Sequence, residues 1–146
     1  MTSSANLATS TAVHQNRSDV KQASAALIGR VLLSVIFILS GFSKLAAPAM
    51  MIGYIGSVGL PLPHVALAVA IIVEIGGGLA LIAGFRTRTV AAVLALFSVF
   101  TALAFHSALA DQNQFIHFFK NIAMAGGLLQ VVAFGAGRFS LDARRG

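Results

Sequence analysis

The sequence predicts an all-α integral membrane protein, a four-helix bundle with both termini cytoplasmic, and three observations carry that prediction. The 146 residues are 58% hydrophobic and only 10% charged, with a mean hydropathy of +0.90. A soluble domain carries roughly 25% charged residues, so this chain has too few charges to cover a water-facing surface. Four apolar runs are long enough to cross ~30 Å of hydrocarbon. The Lys and Arg residues flank those runs, which is how membrane proteins set their orientation.

Taken in order, residues 1–24 are rich in Ser, Thr, Ala and Asn without apolar periodicity and are expected to form a disordered cytoplasmic tail. The membrane domain covers about 25–140, with spans at about 25–45, 65–84, 89–110 and 115–137, and 141–146 form a short basic tail. "LAAPA" (Leu45 to Ala49) resembles a small-residue cleavage site, but the leader would be long and Pro48 would crowd the cut, so an uncleaved first span is the better reading. Arg30 and Lys44 enclose only about 20 Å of helix at 1.5 Å per residue. Both side chains are therefore expected to snorkel, toward opposite interfaces. Arg17, Lys21, Arg30, Arg86, Arg88, Arg138, Arg144 and Arg145 collect on one face of this topology, against Lys44 and Lys120 on the other. That asymmetry places the termini and the Phe85–Thr89 turn in the cytoplasm.

The first outer connection, "APAMMIGYIGSVGLPLPH", is long and still apolar. Pro48 suits the first turn of a helix, while Gly59, Pro61 and Pro63 break one, so a short interfacial helix is expected here, with Tyr54 as an anchor.

Several function classes are excluded or disfavoured. The basic residues form no stripe and accompany no RNA-binding signature, so nucleic acid is not a partner. The absence of cysteine excludes thiol–disulfide chemistry, thiolate metal sites and covalent c-type haem. No nucleotide-binding, serine-hydrolase or zinc-protease motif occurs, and His106 and His117 do not form a close ligand motif, so no metal is expected. No broken helix or inverted repeat favours a transporter.

What remains is a set of polar groups inside apolar spans. A charge at the bilayer centre costs about 2.5–3.5 kcal/mol on insertion scales and normally faces protein or a hydrated cavity. Glu74 is the one ionisable group between Val65 and Gly84. It shares a helical stripe with Ala70, Gly77, Gly78 and Leu81, while Gly76, Ala80 and Gly84 make a small-residue ridge beside it. Lys120, Ala123, Gly127 and Gln130 align in the fourth span, His106 with Ala102 and Ser98 in the third, and Lys44 with Ser40 in the first. The expected intramembrane seam is thus Glu74, Lys120, Asn121, His106, Lys44, Ser40 and Gln130. Close helix packing is expected at Gly76, Gly77, Gly78, Ala80, Gly84, Gly126 and Gly127. Lys120 is the expected partner of Glu74, with Lys44, nearer the headgroups, as the alternative. A seam of this kind serves either a proton or ligand site or only the register of the bundle.

The segments "RVLLSVIFILSGFSKLAAP", "GYIGSVGLPLP", "VEIGGGLALIAGFRTRTVAAVLALF" and "HFFKNIAMAGGLLQVVAFGAGRFSLD" resemble, in this order and spacing, the DoxX family. The matching positions are Gly41, Lys44, Pro48, Gly59, Pro61, Glu74, Gly77, Gly78, Arg88, Lys120, Asn121, Gly126 and Gly127. The resemblance implies a small four-helix protein of the bacterial inner membrane, associated with a membrane redox or oxidative-stress system. No redox-active side chain is present, so whether the chain is itself an enzyme stays open, and electron transfer would need bound quinone or a membrane or periplasm-facing redox partner protein. The first function class is a quinone- or small-molecule-binding subunit. The second is a non-catalytic interaction or assembly protein. The lipid bilayer is a partner in either case, and oligomerisation stays open.

Overall fold

The computed structural model describes the backbone of residues 2–145 and the side chains from Gln15 onward. The described residues are helical with no strand: α1 (Thr2–Ala46), α2 (Pro48–Ser57), α3 (Pro63–Ile71), a π-helical turn (Ile72–Gly76), α4 (Gly77–Ala83), α5 (Thr87–Phe105), α6 (Gln112–Phe134) and a 3₁₀ turn (Asp142–Arg144). Four segments are long and apolar enough to cross a membrane: Gln15–Ala46, Pro63–Ala83, Thr87–Phe105 and Gln112–Phe134.

The boundaries differ from the sequence reading where local chemistry overrides hydropathy. Helix α1 continues back through the segment assigned to a tail, which contains neither Gly nor Pro to stop it. Helix α5 ends at Phe105 rather than near residue 110, and Asp111 then caps α6, its carboxylate accepting the Gln114 N–H at 2.9 Å. Helix α6 stops at Phe134 because Gly135 takes φ +81. The connection between the first two spans does hold a short helix, α2, with Pro48 in its first turn, and Gly59 at φ +79 ends the segment before Pro63 opens α3.

Helices α1 and α4 run antiparallel and touch through small residues. A Cβ at Gly78 would stand 2.7 Å from Ile38 Cγ1 and 3.3 Å from the Ser34 carbonyl oxygen, and one at Gly77 would meet Leu94 at 3.0 Å. Gly41 on α1 is equally tight, with Ile75 Cγ1 2.5 Å from the position of its missing Cβ. Gly127 meets Leu33 at 3.3 Å. Gly76 and Gly126 do not pack: both are exposed, and a Cβ on either would meet nothing within 4 Å. Two glycines of the expected packing set thus face outward, because each lies off the buried stripe of its helix. Gly78→Val should accordingly cost about 1–3 kcal/mol through overpacking, whereas Gly126→Ala should raise stability by about 0.4–1 kcal/mol through unfolded-state entropy. Thermal unfolding in detergent reads both signs. The core between α1, α4, α5 and α6 is built from Phe37, Leu81, Ala91, Leu94, Ala95, Ala125 and Leu128.

At the end of the bundle that bears the termini, the chain after α6 folds back over the α4–α5 turn. Leu141 and Asp142 donate their N–H groups to the carbonyls of Ala83 and Gly84 at 3.1 and 2.9 Å. The Asp142 carboxylate accepts the N–H groups of Arg86 and Thr87, both at 2.8 Å, and so caps α5 from a distant segment. Those bonds, chiefly from Thr87, hold the Asp142 carboxyl below its ordinary value of 3.8. A depressed native pKa contributes stability that is fully present above the unfolded value and is lost as pH falls through the folded one. Amide exchange at Arg86 and Thr87, corrected for intrinsic rate, should therefore stay slow at pH 5 and lose protection progressively below pH 3.8.

Arg30 is the anchor of the same end. It is 1% exposed, and its guanidinium donates to the carbonyls of Leu81 (3.1 Å), Ile82 (3.4 Å) and Phe139. It does not snorkel to water, contrary to the expectation from its spacing to Lys44. The end of α4 and the returning chain surround it with carbonyl acceptors that a hydrated guanidinium would otherwise have to leave unmatched.

Candidate functional site

In the half of the bundle away from the termini lies a cavity of 230 Å³ among α1, α3, α5 and α6, with α2 as its roof. Helix α2 contributes Met51, Tyr54 and Ile55 to the lining, and the Tyr54 hydroxyl donates to the Phe105 carbonyl at 3.2 Å. The Tyr54 and Phe105 rings lie 5.4 Å apart, so the roof is fastened to the end of α5. Phe37, Phe97 and Phe100 make aromatic wall, and Ser40, Lys44, Glu74, Thr101, His106, Lys120 and Asn121 supply the polar lining.

Glu74 sits in the π turn, where the backbone pairs i to i+5; such turns occur mostly as single bulges and frequently at functional sites. Its side chain is buried, with the residue 4% exposed. Glu74 Oε1 receives Lys44 Nζ at 2.9 Å and Ser40 Oγ at 3.1 Å, and Lys44 also donates to Ser40 at 2.8 Å. Glu74 Oε2 has no hydrogen-bond partner. Two of the three ammonium protons of Lys44 are engaged, so the triad keeps one unused donor and one unused, buried acceptor.

The expected pairing of Glu74 with Lys120 is therefore corrected: Lys44 is the partner. Gly41 removes the side chain that would separate α1 from the π turn, and the close approach lets Lys44 reach inward instead of out to the headgroups. Lys120 instead contacts His117 Nδ1 at 2.9 Å and stands exposed at the rim of the cavity. His106 Nδ1 bonds Gln114 Oε1 at 2.8 Å, and its ring stacks on His117 at a centroid distance of 5.1 Å. Asn121 is half-buried in the lining. Gln130 is exposed and outside the cavity, because the inward face of α6 carries Asn121, Met124, Ala125 and Leu128 rather than the stripe through Lys120 and Gln130. No group of three metal-ligating side chains occurs among the described residues.

The residues that sequence reasoning missed are the roof and walls: Met51, Phe97, Phe100, Thr101 and Phe105. Met51 is an ordinary apolar residue of α2 and the others are span residues, among which only Thr101, a hydroxyl in an apolar run, carried any signal.

This arrangement can be set beside known proteins. The DoxX family model matches residues 25–107, the stretch that holds Ser40, Lys44, Glu74, the α2 roof and His106. The chain belongs to the DoxX family. Among its relatives are two inner membrane proteins of Escherichia coli K12. YqjF is 37% identical over 116 residues, covering 80% of this chain and 88% of its own length. YphA is 32% identical over 123 residues, covering 81% and 88%. No solved structure matches. With its four span-length helices, this DoxX-family chain is a multi-pass inner membrane protein. Lys120 and Asn121, on α6, lie beyond the family-matched stretch and complete the cavity from the last span.

Proposed function

We propose that this DoxX-family protein is a small-molecule-binding subunit of a membrane redox or oxidative-stress system, and that its cavity takes the headgroup of a quinone. The observation that carries the reading is the buried Glu74 Oε2 without a partner, on the wall of a cavity otherwise lined largely by aromatic and aliphatic side chains. A buried carboxylate oxygen left unpaired is costly, and a ligand that donates to it offsets that cost. The size fits: a dry cavity of about 150 Å³ holds a benzene ring, and 230 Å³ admits a substituted one. When bound, a quinone supplies the electron-carrying chemistry that this cysteine-free chain lacks. The protein's part is to orient the head. The free proton of Lys44 and the Asn121 amide suit a ring carbonyl, Glu74 Oε2 suits a ring hydroxyl, and the phenylalanine wall excludes water.

A second reading has its own observation. Glu74 Oε1 is already satisfied by Lys44 and Ser40, which a purely structural seam in a non-catalytic assembly protein would also show.

Titration of the purified full chain with a short-chain benzoquinone, followed by calorimetry, separates the two. Saturable binding, weakened more than tenfold by the cavity-filling Ala70→Phe, is the expected result. Absence of binding to the wild type would favour the assembly reading, and binding untouched by Ala70→Phe would place the ligand elsewhere.

A further inference from the structure

The opposite end of the bundle carries an open hollow of 610 Å³ between the start of α5 and the chain that follows α6. Arg86, Arg88, Phe134, Gly135 and Gly137 are among its walls, and Arg138 and Arg144 flank it in sequence. Charge is badly matched here. The sequence has ten Lys and Arg against four Asp and Glu. Glu74 is committed to Lys44, and Asp142, the acid in the wall of the hollow itself, spends both oxygens on the α5 backbone. Arg30 is engaged with carbonyls, and Arg145 lies over the Phe85 ring at 4.9 Å. Among the described residues, the guanidinium groups of Arg86, Arg88, Arg138 and Arg144 make no hydrogen bond or ion pair, and all four side chains are exposed.

The depth of the hollow says what kind of anion meets these groups. Phe134, 80% exposed, ends the apolar surface of α6 and also forms part of the wall. The arginines therefore begin where lipid-facing side chains stop, at the level of phospholipid phosphates. About one to two turns beyond Arg88 along α5, Val93 and Leu96 are 48% and 72% exposed and offer a surface for acyl chains. The positive φ of Gly135 and Gly137 bends the returning chain around the hollow, and Arg88 packs against Gly135, where a Cβ would stand 3.3 Å from its Nε.

We infer that this hollow binds the phosphate of an anionic phospholipid in the cytoplasmic leaflet, with Arg88 and Arg86 as its ligands and Arg138 and Arg144 supplying further positive field. Guanidinium forks match phosphate oxygens in pairs, and each basic residue near an anionic membrane surface contributes enough to change affinity roughly fivefold. The site is independent of the cavity at the other end of the bundle.

The test uses the full chain purified in a mild detergent, with phosphatidylglycerol or phosphatidylcholine added in mixed micelles. Phosphatidylglycerol should raise the unfolding temperature saturably, and native mass spectrometry should show it retained on the wild type while phosphatidylcholine is not. Arg86→Gln with Arg88→Gln should weaken the effect about thirtyfold. Equal retention of both lipids, or undiminished phosphatidylglycerol binding by the double variant, would overturn the inference. Displacement of the lipid by equimolar inorganic phosphate would also overturn it, assigning the site to a soluble anion. Should the double variant fail to fold, Arg88→Lys, which keeps the charge but loses the fork, should weaken binding severalfold, and unchanged binding would count against the site.

Discussion

Lys44→Met is expected to destabilise the protein by about 3 kcal/mol, more than Glu74→Leu does, and the double variant should recover much of the loss. The magnitude follows from what each change strands. Removing the lysine leaves Glu74, 4% exposed and deep in an apolar span, with only the Ser40 hydroxyl on one oxygen and nothing on the other. Breaking a buried pair in this way typically costs about 3–5 kcal/mol, and the membrane insertion cost of a lone carboxylate is of similar size. Removing the glutamate is milder, because the Lys44 side chain is 21% exposed and lies near the end of α1, from which it can swing to the headgroups. Replacing both leaves apolar groups facing each other. Thermal unfolding of the two single variants and the double in detergent measures the coupling. Effects that add to within about 0.3–0.5 kcal/mol would show the two groups to be independent. Glu74→Gln, which keeps an oxygen for Lys44, should fall between the extremes. The same cycle with Lys120→Met in place of Lys44→Met should be additive, since Lys120 turns to His117.

Arg30→Leu is expected to cost about 3 kcal/mol and to loosen the chain after α6. The guanidinium joins three segments, α1, the end of α4 and the returning chain at Phe139, and its loss takes the donor from the Ile82 and Phe139 carbonyls, while Leu81 keeps the Gly84 N–H. Hydrogen bonds from a charged donor are worth about 1.5–3 kcal/mol each, reduced here because the end of the bundle lies near water. Gly84 at φ +69 has no room for a side chain, since a Cβ there would collide with Arg30 and Ser140, so the contact cannot be rebuilt by a small shift of that turn. Arg30→Lys should recover only part of the loss, because an ammonium has no planar fork to span separate carbonyls. Limited proteolysis after Arg138 reads the result directly. Faster cleavage in Arg30→Leu at temperatures where the bundle remains folded is expected, and an unchanged rate would mean that the Leu141 and Asp142 hydrogen bonds hold the segment alone.

What the sequence determined by itself is whatever depends on composition and local spacing. Charge scarcity and run length specify four spans, because a bilayer accepts only helices whose backbone groups are internally paired. Pro48 and Gly59 mark the ends of the short helix between the first two spans through backbone constraints that no neighbour can alter. The isolation of Glu74 in an apolar run announces an inward-facing group, since lipid would not tolerate it. The tertiary structure alone decided partners and direction. Long side chains such as Lys44, Arg30 and Lys120 reach several ångströms from their Cα atoms, so their spacing along the chain left open whether each turns to headgroups or to a neighbouring helix. The decision rests on which backbones approach, and that is set by Gly41 facing Ile75 and Gly78 facing Ile38. The cavity wall was illegible for a related reason. Phe97, Phe100 and Phe105 have the composition of any span, and only the packing of α5 beneath α2 turns them toward a shared space. The glycines show both halves of the lesson. Gly78 and Gly126 look alike in sequence, but one lies in a helix contact and the other faces outward, because burial belongs to the assembled surface and not to the residue.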